Sequence, residues 1–241
     1  MDEFYEQLKE RVLGLWKEEG LLSEKIEIQA RALSTKEAIG NPEHQDFPIQ
    51  KGKEKLMQAS FMDAGGQAFT DMYGDYEGTL EEVLQLPMDN NHQRAVFVAS
   101  LNAVLRYLGR IEGSVHCRDE EPVQCGKSLV TYLKDQHAGA RIAQVGFQPR
   151  MVENLGGSHP LRVLDMDPDN IGTRKFGIII ESADNTEDAV NWADLILVTG
   201  TVLANGTVTP LMNKKPIVFY GTTVAGAAHL MGWERFCPCS R

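Results

Sequence analysis

No stretch of the 241-residue chain approaches the roughly 18 uninterrupted apolar residues a membrane helix requires, so no membrane partner is expected. Basic residues are in short supply: 24 Lys and Arg stand against 34 Asp and Glu, a formal net charge of -10. Nucleic-acid backbones are gripped by a field of cations, which excludes nucleic acid as an expected partner. The four cysteines are too few for a disulfide scaffold and suit a reducing compartment. Met1-Asp2-Glu3 is acidic and leads into a charged helix, unlike a signal peptide, so a soluble, cytoplasmic protein is expected. The chain also lacks G-x-S-x-G, a Walker A loop and H-E-x-x-H, and with them the nucleophilic and metalloprotease chemistries those motifs carry. There is no internal repeat.

What is there is ordinary globular composition, 42% hydrophobic and 24% charged. Phe4, Leu8, Val12 and Leu15 recur at helical spacing over residues 2–19, and Gly20 ends the element. Ile26, Ile28, Ala30 and Ala32 then alternate with Glu27, Gln29 and Arg31, the pattern of a half-buried strand. Two more extended segments fit 55–62 and 67–72, joined through Asp63-Ala64-Gly65-Gly66. Three such strands in succession predict an antiparallel meander. Thr79-Leu80-Glu81-Glu82 is a capping box that opens a short helix before Pro87. Asn90 or Asn91 caps the next helix, which is apolar on nearly every face from Val96 to Leu108. Residues 113–122 read as a linker, followed by a helix over 126–136.

The texture then changes. Strands are predicted at 141–146, 161–165, 176–180, 194–199 and 216–220, with a helix from Asp184 through Trp192. Ile178-Ile179-Ile180 and Leu195-Ile196-Leu197-Val198 do not alternate, so they call for cover on both faces, as in a parallel sheet. The link after Asp165 is too short for a crossover helix, so the third strand follows a loop or runs antiparallel.

In an open parallel sheet the ligand crevice lies beyond the strand ends where the winding reverses. The loops placed there are Gly146 with Gln148, Thr199-Gly200-Thr201 through Asn205-Gly206-Thr207, and Gly221-Thr222-Thr223. Glycine admits a ligand to the backbone, and hydroxyl or amide groups orient it. The same residues also serve as plain turn formers, and Thr222 or Thr223 also fits a helix N-cap. Asp165 follows Gly146 at about the spacing of a ribose-binding acid, but Phe147, Gln148 and Pro149 stand where G-x-G-x-x-G would continue. No classical NAD or FAD site is therefore expected, while an adenosine-type ligand stays open. Asn102, mid-helix among apolar residues, must be bonded to backbone or to ligand. His116, Cys117, Cys125, Cys237 and Cys239 are soft metal ligands, though without paired C-x-x-C spacing.

The run from Asp194 to Thr207, with Tyr220-Gly221-Thr222-Thr223, His116-Cys117-Arg118-Asp119 and Arg235-Phe236-Cys237-Pro238, resembles a family named for heavy-metal chelation and long catalogued as a domain of unknown function. Gly40-Asn41-Pro42 and Gly66-Gln67-Ala68-Phe69-Thr70 resemble its companion domain. The resemblance implies an α/β protein: an enolase N-terminal-like α+β domain over 1–112, then a Rossmann-like α/β domain over 113–241, with a bridging linker and helix at 113–137. It places the site between them and implies condensation or hydrolysis on pterin-, flavin- or siderophore-like molecules, with a link to metal chelation. It transfers no catalytic residues. The expected ligand is then a small polar heteroaromatic or metal-chelating molecule in the crevice, with Gln67 and Thr70 closing over it. The alternatives are a metal-binding or trafficking protein using Cys and His, and a sensor of an adenosine-like ligand.

Overall fold

A computed structural model describes residues 3–22, 27–212 and 214–241; Ile26 and the side chains of Glu27, Ile28 and Gln29 lie outside what is described. The amphipathic opening forms α1 (Glu3–Glu18), which buries Phe4, Tyr5, Leu8, Val12 and Trp16. Gly20, at φ 70°, ends it in a conformation glycine adopts freely. After β1 (Glu27–Ala32) comes α2 (Thr35–Ile39), opened by a capping box on Ser34 and Glu37. Strands β2 (Lys55–Phe61), β3 (Ala64–Thr70) and β4 (Tyr76–Thr79) complete an antiparallel sheet in the order β3-β2-β1-β4.

The expected meander is present, but its turn is not where the glycines suggested. Phe61 pairs with Ala64, so the turn is Met62-Asp63 with Met62 at φ 52°, and Gly65 and Gly66 belong to β3. The glycine has a packing role instead. A Cβ on Gly66 would stand 2.1 Å from the Ala103 nitrogen and 2.4 Å from the Ala99 oxygen. Those atoms belong to α4 (Asn91–Tyr107), which follows α3 (Leu80–Gln85) and rests directly on the strand. Strand β4, which the sequence reading left out, pairs with the free side of β1.

The second half begins with α5 (Glu121–Gln136), five residues earlier than expected, because Pro122 sits in a first turn where no N–H is needed. Then follow β5 (Ile142–Val145), α6 (Pro149–Leu155), β6 (Leu161–Asp165), β7 (Arg174–Lys175), β8 (Ile178–Ser182) and α7 (Thr186–Trp192). The chain closes with β9 (Leu195–Thr199), α8 (Val202–Asn205), β10 (Ile217–Tyr220), α9 (Ala225–Met231) and β11 (Glu234–Phe236). The sheet order is β11-β10-β9-β5-β6-β8-β7, and every pairing is parallel except β7 with β8. The third expected strand is thus β8, parallel to β6 and reached through a loop. Winding runs β5, β6, β8 one way and β9, β10, β11 the other, so it reverses between β5 and β9, as expected. The four residues from Leu195 to Val198 are all buried. Ile179 departs from its expectation: at 51% exposure it lacks cover, its strand being bordered on the outer side by only the two-residue β7.

Between the sheets lies α4, buried continuously from Ala95 to Leu105. It packs on β2 and β3 on one side and on α8 and α9 on the other. Phe61 and Ala68 of the first sheet therefore share one apolar cluster with Ile196, Val198 and Phe219 of the second. The first helix also crosses over: Tyr5 Oη donates to the Leu203 carbonyl at 2.6 Å, and Phe4 stacks on Trp233. The mixed α/β class is the expected one. Among the described residues no helix is long and apolar enough to cross a membrane.

Candidate functional site

At the reversal of winding β5 ends in Gly146, at φ 92°. Its neighbour β9 presses so close that a Cβ there would lie 2.6 Å from Thr199 Cγ2, so only glycine fits. Tyr220 Oη donates to the Gly146 carbonyl at 2.8 Å, fixing the loop from the other side. Asp165, at the end of β6, accepts from Phe147 N at 2.7 Å and from Asp167 N at 2.6 Å. Its carboxylate thus braces the loop that in a dinucleotide site would carry the pyrophosphate. Gln148 caps α6 by accepting from Met151 N at 2.7 Å. Thr199 Oγ1 donates to Thr201 Oγ1 at 3.1 Å. Asn205 Oδ1 accepts from Thr207 N at 3.2 Å and Thr207 Oγ1 at 2.6 Å, closing its own turn.

Facing these loops are Glu54, at the start of β2, and Asp71, just past β3. Together the two sides enclose a cleft of about 940 Å³, lined also by Phe47, Phe69 and Phe147. Glu54 has its carboxyl pushed up to about 7, first by burial and then by the negative charges of Asp165, Asp71 and Asp167. Lys53 spans the mouth, donating to Asp167 at 2.6 Å and to Asp169 at 2.5 Å; those bonds raise its pKa.

Residues 129–230 match the family model described as "Putative heavy-metal chelation", DUF364. Over that span the chain is similar to DUF364. Two solved structures are similar, both DUF364 proteins of unknown function. One, from Pyrococcus horikoshii, is 20% identical with a TM-score of 0.53, over 90% of this chain and 79% of that one. The other, from Desulfitobacterium hafniense DCB-2, is 13% identical with a TM-score of 0.52, over 73% of this chain and 72% of that one. At those identities the likeness is one of fold. A search of curated proteins finds no match.

The second half of the chain supplies most of the residues that the sequence pointed to. Gly146, Gln148, Asp165, Thr199, Gly200, Thr201, Asn205, Thr207, Gly221 and Thr223 all line the cleft. Gly206 turns away, beneath the Arg94 guanidinium of α4. Neither Thr222 nor Thr223 is an N-cap: α9 starts behind Val224, with no side-chain cap. Thr222 is fully buried, and Thr223 Oγ1 accepts from Phe69 N at 3.0 Å, tying the two sheets together. The three polar residues of the first half do not line the cleft either. Asn102 donates to the carbonyls of Gln67, Thr222 and Thr223 and accepts from Gly226 N at 2.7 Å, so its amide is spent on backbone. Gln67 bonds Gln58 and accepts from His116 N at 2.7 Å. Thr70 closes a local turn on Met72.

Of the soft ligands, His116, Cys117, Cys125 and Cys237 line one end of the cleft, and Cys239 packs with Cys125. All four thiols are free. Among the described residues no three His, Cys, Asp or Glu side chains stand ready to hold a metal ion. Among the polar residues on the cleft wall, the sequence reading missed Glu54, Asp71, Asp167 and Tyr220. Glu54 sits in Lys-Gly-Lys-Glu-Lys, a run that reads as solvated surface, and only the fold shows that it faces Asp165. Tyr220 had a signal, a polar tip ending an apolar strand directly before Gly221.

Proposed function

We propose that the cleft between the two sheets binds a small polar heteroaromatic or metal-chelating molecule and acts on it as an enzyme or enzyme-like binder. The observation that carries this reading is the placement of Glu54. A carboxyl titrating near neutrality faces strand-end loops rich in glycine and hydroxyl groups, across a space sized for a small molecule. Such a group can give a proton to, or take one from, a ring nitrogen or acidic hydroxyl at physiological pH. Phe47, Phe69 and Phe147 offer flat apolar faces to a ring.

The test is a thermal-shift screen against pterins, flavins, S-adenosylmethionine and catecholate or hydroxamate chelators, with calorimetry on any hit. A ligand at about 100 times its Kd should raise the unfolding free energy by about 2.7 kcal/mol. Glu54→Gln should weaken that ligand at least tenfold while remaining folded. A hit that binds Glu54→Gln and the wild type equally would move the site elsewhere.

A further inference from the structure

The cleft wall carries more negative charge than positive. Glu54, Asp71, Asp165, Asp167 and Glu187 line it, and the only cations facing them among the described residues are Lys53 and Lys214. Lys53 is already paired with Asp167 and Asp169, and Lys214 is exposed to solvent. Burial lowers the pKa of His116, so its ring adds no charge. Backbone register sharpens the imbalance. Lys55 of β2 pairs with Thr70 of β3, so Glu54 and Asp71, one residue further out on each strand, stand across from each other. Like charges placed directly opposite repel.

The backbone groups that would hold an anion are also taken. Phe147 N and Asp167 N, just past β5 and β6, both donate to the Asp165 carboxylate, and Met151 N in the first turn of α6 donates to Gln148. A phosphate arriving there would meet Asp165 in place of open N–H groups. Asn170 supplies an independent sign. It is 3% exposed, lines the cleft, and has its backbone fixed by donation from its N to the Asp167 carbonyl at 2.9 Å and from Thr173 Oγ1 to its own carbonyl at 2.6 Å. Its side-chain Oδ1, by contrast, is enclosed and receives no hydrogen bond from the described residues. A buried acceptor without a donor is costly, so this oxygen calls for an N–H brought by a ligand.

We propose that the cleft selects an organic cation, an amidine- or guanidine-like group on a flat apolar body, over neutral and anionic molecules of the same shape. The proposal rests on the reading of the cleft as a ligand site and narrows it, disfavouring flavins and nucleotides that carry phosphate. The N–H groups of such a cation satisfy Asn170 Oδ1 and the surrounding carboxylates, while Phe47, Phe69 and Phe147 present ring faces to its body. Among the described residues no three His, Cys, Asp or Glu side chains converge as metal ligands do, so the negative charge is spread along a wall. That arrangement suits a delocalised cation better than a bare ion.

The experiment titrates the full chain with naphthamidine, naphthamide and naphthoate, which share one shape and differ in charge, by calorimetry at pH 7.5. Amide shifts of Gly146, Gly200 and Gly221 report whether each occupies the cleft. The amidine should bind there at least about tenfold tighter than the amide, and the naphthoate should not bind. Asn170→Leu should weaken the amidine about tenfold, and the isosteric Asn170→Asp, which adds charge without changing shape, should tighten it. Lys53→Ala, which unmasks Asp167, should also tighten it. Naphthoate binding in the cleft as well as the amidine, or amidine affinity indifferent to both Asn170 variants, overturns the charge selection and leaves the cleft a ligand site. If none of the three moves the cleft resonances at millimolar concentration, the proposal falls, and if the wider ligand screen is also blank the reading of the cleft falls with it.

Discussion

A single carboxyl can report on the whole cleft through its proton. The ordinary value for Glu54 is 4.5, and the folded protein raises it to about 7. Between those two values the folded state holds a proton that the unfolded chain has lost, so stability falls as pH rises through this window. Below the window both states are protonated and there is no penalty; above it the native state carries a buried charge among Asp165, Asp71 and Asp167. Glu54→Gln removes that burden, and at pH 8 it should stabilise the fold by about 2–3 kcal/mol. The gain should vanish at pH 4. Urea denaturation at the two pH values checks this, and a pH-independent difference would mean that the carboxyl is solvated. Asn205 makes the contrasting case. Its Oδ1 already serves Thr207 twice, so Asn205→Ala should cost about 1 kcal/mol of stability and leave ligand affinity within about threefold. A large loss of affinity with an unchanged melting temperature would return Asn205 to the recognition surface.

Elements were legible where one local rule sufficed. The capping box at Thr79 and Glu82, the Asn90 cap, the continuously buried α4 and the apolar β9 all stand where periodicity and capping put them. Glycines were harder, because the same residue serves turns and close packing and only the partner distinguishes them. Gly65 and Gly66 illustrate this side by side. A Cβ at Gly65 meets nothing nearer than 3.7 Å, whereas at Gly66 it would collide with the backbone of α4. Gly66→Ala should therefore force α4 off β3 at a cost of about 3 kcal/mol or more, while Gly65→Ala should be near neutral. Paired thermal melts decide it; equal effects would mean that α4 adjusts freely. The site followed the same division. Loops at strand ends could be read from the sheet pattern, but Glu54 could not, since its partners Asp71 and Asp165 are distant in sequence and its local context is all charge.

For the whole molecule the question is whether two sheets make two folding units. The chain reverses pattern near residue 113, and the sheets share no strand. Yet α4 is the middle layer for both, one apolar cluster runs through it, and α1 from the first half lies against α9 of the second. Asn102 adds a polar pin at the centre, holding the carbonyls of Gln67 in β3 and of Thr222 and Thr223 before α9, while its own Oδ1 takes the Gly226 N–H. A cut between residues 112 and 113 would strip the second sheet of α1 and α4 and bare the apolar faces of α8 and α9 to water. The intact chain should therefore unfold in urea as a single transition. Fluorescence from Trp16 in α1 and Trp192 and Trp233 in the second half should coincide with the loss of far-ultraviolet ellipticity. The isolated 113–241 segment should remain unfolded or aggregate. Asn102→Leu, which leaves Gly226 N–H without its partner, should lower the unfolding free energy by about 2–3 kcal/mol without splitting the transition. Two resolved transitions in the wild type, or an excised second half that folds on its own, would show that α4 joins two independent domains rather than serving as their common core.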